Sequence, residues 1–195
     1  MLRQTDSLVR AVRKHLDLTP EEENFLRNAF QIQSVPRGEV IEASGEPTRG
    51  LMYVTSGCLM TYYTDKKGDD HVTYFATAGW WTGDLHSLTA DEPSIYTTRT
   101  LVDSELLMLT NASLNQLLER YPRFERYFRI IFQNSLVSHQ HRIIQNYSYT
   151  AQERYESFRE RFPTLEQYVP LKYIASYLGM TPEFLSKIRR RMAKR

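Results

Sequence analysis

The spacing of hydrophobic residues along the chain changes twice. Over the first thirty residues it is helical: Leu8, Val9, Val12 and Leu16 recur three or four apart. Thr19-Pro20-Glu21-Glu22 then supplies an N-cap, a proline at the first helical position and a glutamate three after the cap. These predict a second helix through Asn24 and Phe30. From Ser34 the runs shorten. Residues 40–41, 51–54, 58–64, 72–77, 96–101 and 105–109 are rich in β-branched and aromatic side chains. Ser44-Gly45-Glu46-Pro47, Thr55-Ser56-Gly57, Asp65-Lys66-Lys67-Gly68-Asp69 and Asp91-Glu92-Pro93 separate them as turns. Short strands at near-regular intervals predict an antiparallel sandwich or barrel.

After Leu109 the helical period returns. Residues 111–121 form a short helix that ends at Pro122. From there to Asn146 neither glycine nor internal proline occurs, which predicts a helix of roughly 25 residues, about 37 Å long. Phe124, Tyr127, Phe128, Ile130, Ile131, Phe132, Leu136, Val137, Ile143 and Ile144 give it more apolar side chains than one stripe can hold. One face is expected to pack on the strands and another on a second copy of the chain. That makes a two-fold homodimer, with Phe124, Tyr127, Phe128, Ile131, Leu136 and Ile143 as dimer-helix residues. Residues 147–150 read as a break, with Thr150 capping a further helix to Phe162. The expected class is α+β, in three parts: 1–121 strand-rich with flanking helices, 122–147 the long helix and hinge, and 148–195 helical.

Charge separates the last part from the rest. Residues 151–195 carry 10 Lys or Arg against 5 Asp or Glu, whereas residues 1–150 carry 15 against 18. A basic C-terminal quarter on a mildly acidic body suits a polyanion partner. No run reaches the roughly 18 apolar residues of a membrane span, and the N-terminus lacks the apolar stretch of a signal peptide, so no membrane association and a cytoplasmic location are expected. Cys58 stands alone, which rules out an intrachain disulfide and cysteine-rich metal sites.

The C-terminal text PLKYIASYLGMTPEFLSKIRRRM reads as two helices around a tight turn. Gly179 ends the first, Thr181 caps the second and Pro182 fills its first position. Ile174, Ala175 and Leu178 face Leu185, Ile188 and Met192, with Met180 in the turn. At 100° per residue the opposite face of the second helix presents Glu183, Lys187 and Arg190, flanked by Ser186 and Arg191. Lysine and arginine suit guanine acceptors, and glutamate suits the cytosine amino group. Lys172, Thr181, Arg189, Arg191, Lys194 and Arg195 are expected on phosphates.

The order of strand module, long helix and helix-turn-helix resembles the catabolite activator and fumarate–nitrate regulator (Crp/Fnr) family of bacterial transcription factors. PRGEVIEASGEPTRGLMYVTSGCLMTYY is similar to the family's opening β-roll, and IASYLGMTPEFLSKIRR to its Bacteroidetes-type branch. The resemblance covers roughly residues 20–195. It implies a cyclic-nucleotide-binding-like β-roll (a double-stranded β-helix), a long dimerisation helix, double-stranded DNA with a near-palindromic operator as partner, and RNA polymerase as a further one. It places base reading at Pro182, Glu183 and Lys187. Pro182 stands where well-known members carry Arg, so their operator does not transfer.

The same resemblance locates a candidate effector pocket at Gly83, Asp84, Leu85, Ser94, Ile95 and Arg99. Cyclic-nucleotide sensors of the family carry Gly-Glu-Leu and then Arg-Ser or Arg-Thr. Here the second pair is Ser94-Ile95, with no Lys or Arg between Leu85 and Thr98, and Arg99 is offset. A phosphate would lack its strongest charge-assisted bonds, so cyclic AMP is not expected and no cofactor is assigned. No nucleophile–base pair or carboxylate dyad points to an enzyme. The alternatives are a small-molecule-binding or cupin-like module without DNA binding, for which only His71 and His86 lie among the strands, and a protein–protein adaptor. His139 and His141 are two apart on a helix and face different ways.

Overall fold

The structure, a computed structural model, describes residues 2–90 and 92–193. Two helices open the chain, α1 (Leu2–Arg13) and α2 (Pro20–Asn28). The cap of α2 is reciprocal: Thr19 Oγ1 accepts from the Glu22 amide at 3.2 Å and the Glu22 carboxylate accepts from the Thr19 amide at 2.8 Å. Strands β1 (Gln31–Val35), β2 (Val40–Glu42), β3 (Gly50–Ser56), β4 (Cys58–Thr64), β5 (Asp70–Thr77) and β6 (Trp81–Thr82) follow. Then come α3 (Leu85–Ala90), β7 (Thr97–Thr100), β8 (Ser104–Thr110) and α4 (Asn111–Arg120). The chain continues through α5 (Phe124–Ser148), α6 (Ala151–Arg161), a 3-10 turn (Leu165–Gln167), α7 (Leu171–Tyr177) and α8 (Pro182–Met192). Among the described residues no helix is long and apolar enough to cross a membrane.

The strands form two four-stranded antiparallel sheets, ordered β1-β8-β3-β6 and β2-β7-β4-β5. Period-two alternation sends each strand's side chains into different cores. Met52, Val54, Leu59, Ala76, Leu106 and Met108 fill the space between the sheets. Leu51, Tyr53, Leu107 and Leu109 point out of the first sheet into a core built with α1, α2, α4 and the start of α5. Cys58, Met60, Tyr62, Val72 and Phe75 point out of the second sheet into a core built with α6, α7 and α8. Burial on both faces explains why β3 and β4 read as continuous apolar runs instead of alternating ones.

The C-terminal helices are therefore docked on the strands. Ser176 Oγ on α7 accepts from the Val72 amide at 2.9 Å and donates to the Asp70 carbonyl at 2.8 Å. Phe75, Phe158, Phe162 and Tyr177 pack as one aromatic group, with ring centroids 5.3–6.4 Å apart. Arg142 of α5 donates to the Thr73 carbonyl and lies 5.0 Å over the Tyr177 ring.

The long helix corrects half of its expected seam. Phe124, Tyr127 and Phe128 are 0%, 2% and 5% exposed, inside the chain's own core, and Tyr127 Oη accepts from Trp81 Nε1 at 3.0 Å. They are spent on the first sheet and cannot face a partner. Ile131 is half-buried beside the same core. Leu136 and Ile143, one heptad apart, are 59% and 54% exposed, and Val137 and Ile144 beside them 47% and 56%. The uncovered ridge thus lies on the C-terminal half of α5, beyond the turns that Phe124 and Phe128 anchor in the core.

Candidate nucleic-acid interface

Local sequence chemistry shapes the turn between α7 and α8. Gly179 takes φ +64°, where only glycine is free of strain, and the Met180 amide closes on the Ala175 carbonyl at 3.0 Å. Thr181 holds extended backbone as the N-cap, its Oγ1 accepting from the Phe184 amide at 3.2 Å. Pro182 fills the first helical position and offers no side-chain donor. Leu185 and Ile188 are buried against Ile174, Ala175 and Leu178, with Met192 partly buried beside them.

That packing leaves Glu183, Lys187, Arg190 and Arg191 exposed on the outer face of α8. Among the described residues none of the four has an ion-pair partner within 4.0 Å. Ser186 is half-buried at the edge of the face, over a cleft shared with Tyr155, Arg159, Glu166 and Arg189. Here the structure corrects the expectation for Arg189. Its Nε lies 3.6 Å from Glu166 Oε1, and Arg159 Nε lies 3.5 Å from Glu166 Oε2. Tyr155 Oη donates to the same carboxylate, its pKa pushed up to about 12 by burial and by Glu166. The Arg189 guanidinium thus has a carboxylate partner within its own chain, through which α8 meets the 3-10 turn and, by way of Arg159 and Tyr155, α6. Lys172 is exposed, its ammonium 4.8 Å over the Tyr173 ring. Lys194 and Arg195 lie outside the described residues.

The second expected site is only partly assembled. Gly83, at φ +146°, leaves little room for a side chain: a Cβ would meet the Gly50 carbonyl oxygen and Leu51 Cδ2 at 3.1 Å each. Asp84 Oδ1 accepts from the amides of His86 at 2.9 Å and Ser87 at 3.3 Å, and Oδ2 accepts from Ser94 Oγ at 2.7 Å. The chain's own carboxylate thus caps the start of α3. Leu85 and Ile95 are largely exposed. Arg99 is not in this group. Thr98 and Thr100 point between the sheets, so Arg99 points outward, donating to Tyr173 Oη and lying over the Tyr62 and Tyr173 rings at 5.7 and 5.1 Å.

The sequence did not single out Glu42 on β2. It is 8% exposed, and burial raises its pKa to about 7. The Asp84 carboxylate adds to the rise, while the Thr48 and Thr98 hydroxyls and Arg49 oppose it. The folded chain keeps this proton to about pH 7, whereas an unperturbed glutamate loses it near 4.5. Stability from this residue is therefore full below pH 4.5 and falls as pH rises through that window, by up to about 3 kcal/mol. Glu42→Gln should flatten this loss, so denaturant midpoints of wild type and variant should diverge between pH 5 and pH 8.

Cys58 is buried, with its thiol pushed to about 12. Among the described residues no three His, Cys, Asp or Glu side chains gather as a metal site. His71 pairs with Asp65 at 2.9 Å on the hairpin, and burial lowers the pKa of His139.

Comparison with known proteins covers most of the chain. Residues 32–121 match the family model of the cyclic nucleotide-binding domain. The fumarate and nitrate reduction regulatory protein of Vibrio cholerae is 23% identical over 171 residues, covering 82% of this chain and 68% of that protein. The structure of FixK2 from Bradyrhizobium japonicum superposes with a TM-score of 0.72 at 17% identity, covering 85% of each chain. The catabolite activator protein of Thermus thermophilus gives 0.58 at 19% identity, covering 94% of this chain and 87% of that one.

Proposed function

We propose that this chain, which carries a cyclic nucleotide-binding domain and is homologous to a Crp/Fnr-type regulator, is a homodimeric, sequence-specific DNA-binding transcriptional regulator. The observation that carries this is α8. It is capped and packed as the second helix of a helix-turn-helix, and it turns Glu183, Lys187, Arg190 and Arg191 to solvent. The N-terminal turns of such a helix enter the major groove, where lysine and arginine find guanine acceptors and glutamate finds the cytosine amino group. Pro182 contributes its backbone angle and no base contact. Lys172, Thr181 and Arg191 border the same surface and are assigned to phosphates. Arg189 is assigned to holding the helix.

The exposed ridge of Leu136, Val137, Ile143 and Ile144 meets its copy in a second chain, pairing two recognition helices on one duplex. The β-roll serves as an effector or dimer-supporting module that does not take cyclic AMP. Asp84 already occupies the α3 amides, Glu42 lies nearby, and Arg99 faces the other side of its sheet.

Selection of bound duplexes from a random pool tests the role. The expected product is a near-palindrome with half-site centres about 34 Å apart. Recovery of unrelated sequences at physiological salt would contradict sequence-specific binding and favour a small-molecule-binding module or an adaptor.

A further inference from the structure

We infer that Phe184 reads thymine, its ring packing on the C5-methyl group of one thymine in each half-site. This rests on the DNA-binding role proposed above. Phe184 is 48% exposed, whereas the phenylalanines of the neighbouring α6 and its C-cap, Phe158 and Phe162, are 2% and 4% exposed. It joins none of the chain's apolar cores, and among the described residues its ring contacts no other ring.

Its place is fixed. The Phe184 amide donates to the capping Thr181 Oγ1 at 3.2 Å, in the first turn of α8. At 100° per residue it lies next to the buried Ile188, four positions on, and beside exposed Lys187 and Arg191, three and seven positions on, so it borders both the buried stripe and the cationic face. A bare apolar ring thus sits within a cationic surface, on the turn that goes deepest into a major groove. Phenyl carbon can neither donate to nor accept from a base edge or a phosphate. The apolar group that a major groove offers is the thymine methyl. Exposed Lys187 and Arg191 beside the ring, with Arg190 further round the same helix, favour a polyanion over an apolar protein partner.

Geometry also places the thymine. One helical turn advances about 5.4 Å and one base step about 3.4 Å, so the methyl lies within about two base steps of the pair reached by Lys187.

The test uses the full chain and the selected operator, with each thymine replaced in turn by deoxyuridine, which lacks only the methyl. One thymine per half-site should show a loss of about fourfold, the change equivalent to about 0.8 kcal/mol for one buried carbon. Phe184→Ala should bind the thymine and deoxyuridine operators equally, and Phe184→Leu should keep part of the discrimination. Circular dichroism and size should be unchanged, because the ring supports no core. If Phe184→Ala keeps the wild-type discrimination, the inference is overturned. It is equally overturned if no thymine shows methyl dependence while Lys187→Ala still weakens binding, and then the DNA-binding role survives. Specific binding indifferent to Lys187 would mean that α8 does not read the bases and would overturn the inference with it, whereas absence of any specific binding would remove the DNA-binding role itself.

Discussion

Replacing Lys187 and Arg190 together by alanine is expected to weaken operator binding by about a thousandfold. A homodimer presents each side chain twice, and four lost base contacts at about 1 kcal/mol each, the lower end for a good pair, sum to about 4 kcal/mol. The salt dependence should flatten as well, because fewer counterions are released. Stability should hardly change: both side chains are exposed, and among the described residues neither has an ion-pair partner within 4.0 Å. Equilibrium titration of labelled operator at two salt concentrations, beside a denaturation curve, separates these outcomes. Unaltered affinity would mean that α8 does not read DNA.

The next largest effect is expected from Leu136→Asp combined with Ile143→Asp. At 59% and 54% exposure these side chains contribute little to the single chain, so the variant should fold. In a dimer built on this ridge each new carboxylate would be buried without a partner, at a cost of several kcal/mol. The variant should sediment as a monomer at micromolar concentration and lose cooperative binding to the two half-sites. Phe128→Asp should behave differently. Phe128 is 5% exposed against the first sheet, so its replacement should unfold the chain instead of dissociating it. A dimeric Leu136→Asp, Ile143→Asp variant would place the seam elsewhere.

The helix pair at the C-terminus was legible because its determinants are local. Gly179, Thr181 and Pro182 each act through their own backbone angle or the next few amides. The two capping boxes at Thr19 and Thr150 were legible for the same reason. The dimer helix was only half legible. Phe128 and Leu136 are equally apolar, and what separates them is a partner remote in sequence: the Trp81 ring lies 5.7 Å from Phe128. Arg99 shows a missed alternation, because neighbours packed between the sheets force it to the outside of β7. The ion pair of Arg189 with Glu166 spans the turn between helices, so no helical wheel of α8 could reveal it. Strand β1, with its polar text QIQSV, and the short β6 and α3 carried too little pattern to stand out. The continuous apolar run in β4 signalled burial on both faces, but not that α6, α7 and α8 would cover one of them.

Dimethyl sulfate protection on the selected operator tests most directly whether two α8 helices read successive major grooves. The reagent methylates guanine N7, the acceptor expected to meet Lys187 or Arg190. Two patches of protected guanines, about one helical turn apart, should appear with the wild-type chain and vanish with the Lys187→Ala, Arg190→Ala variant. Guanines methylated equally with and without bound protein would contradict the account.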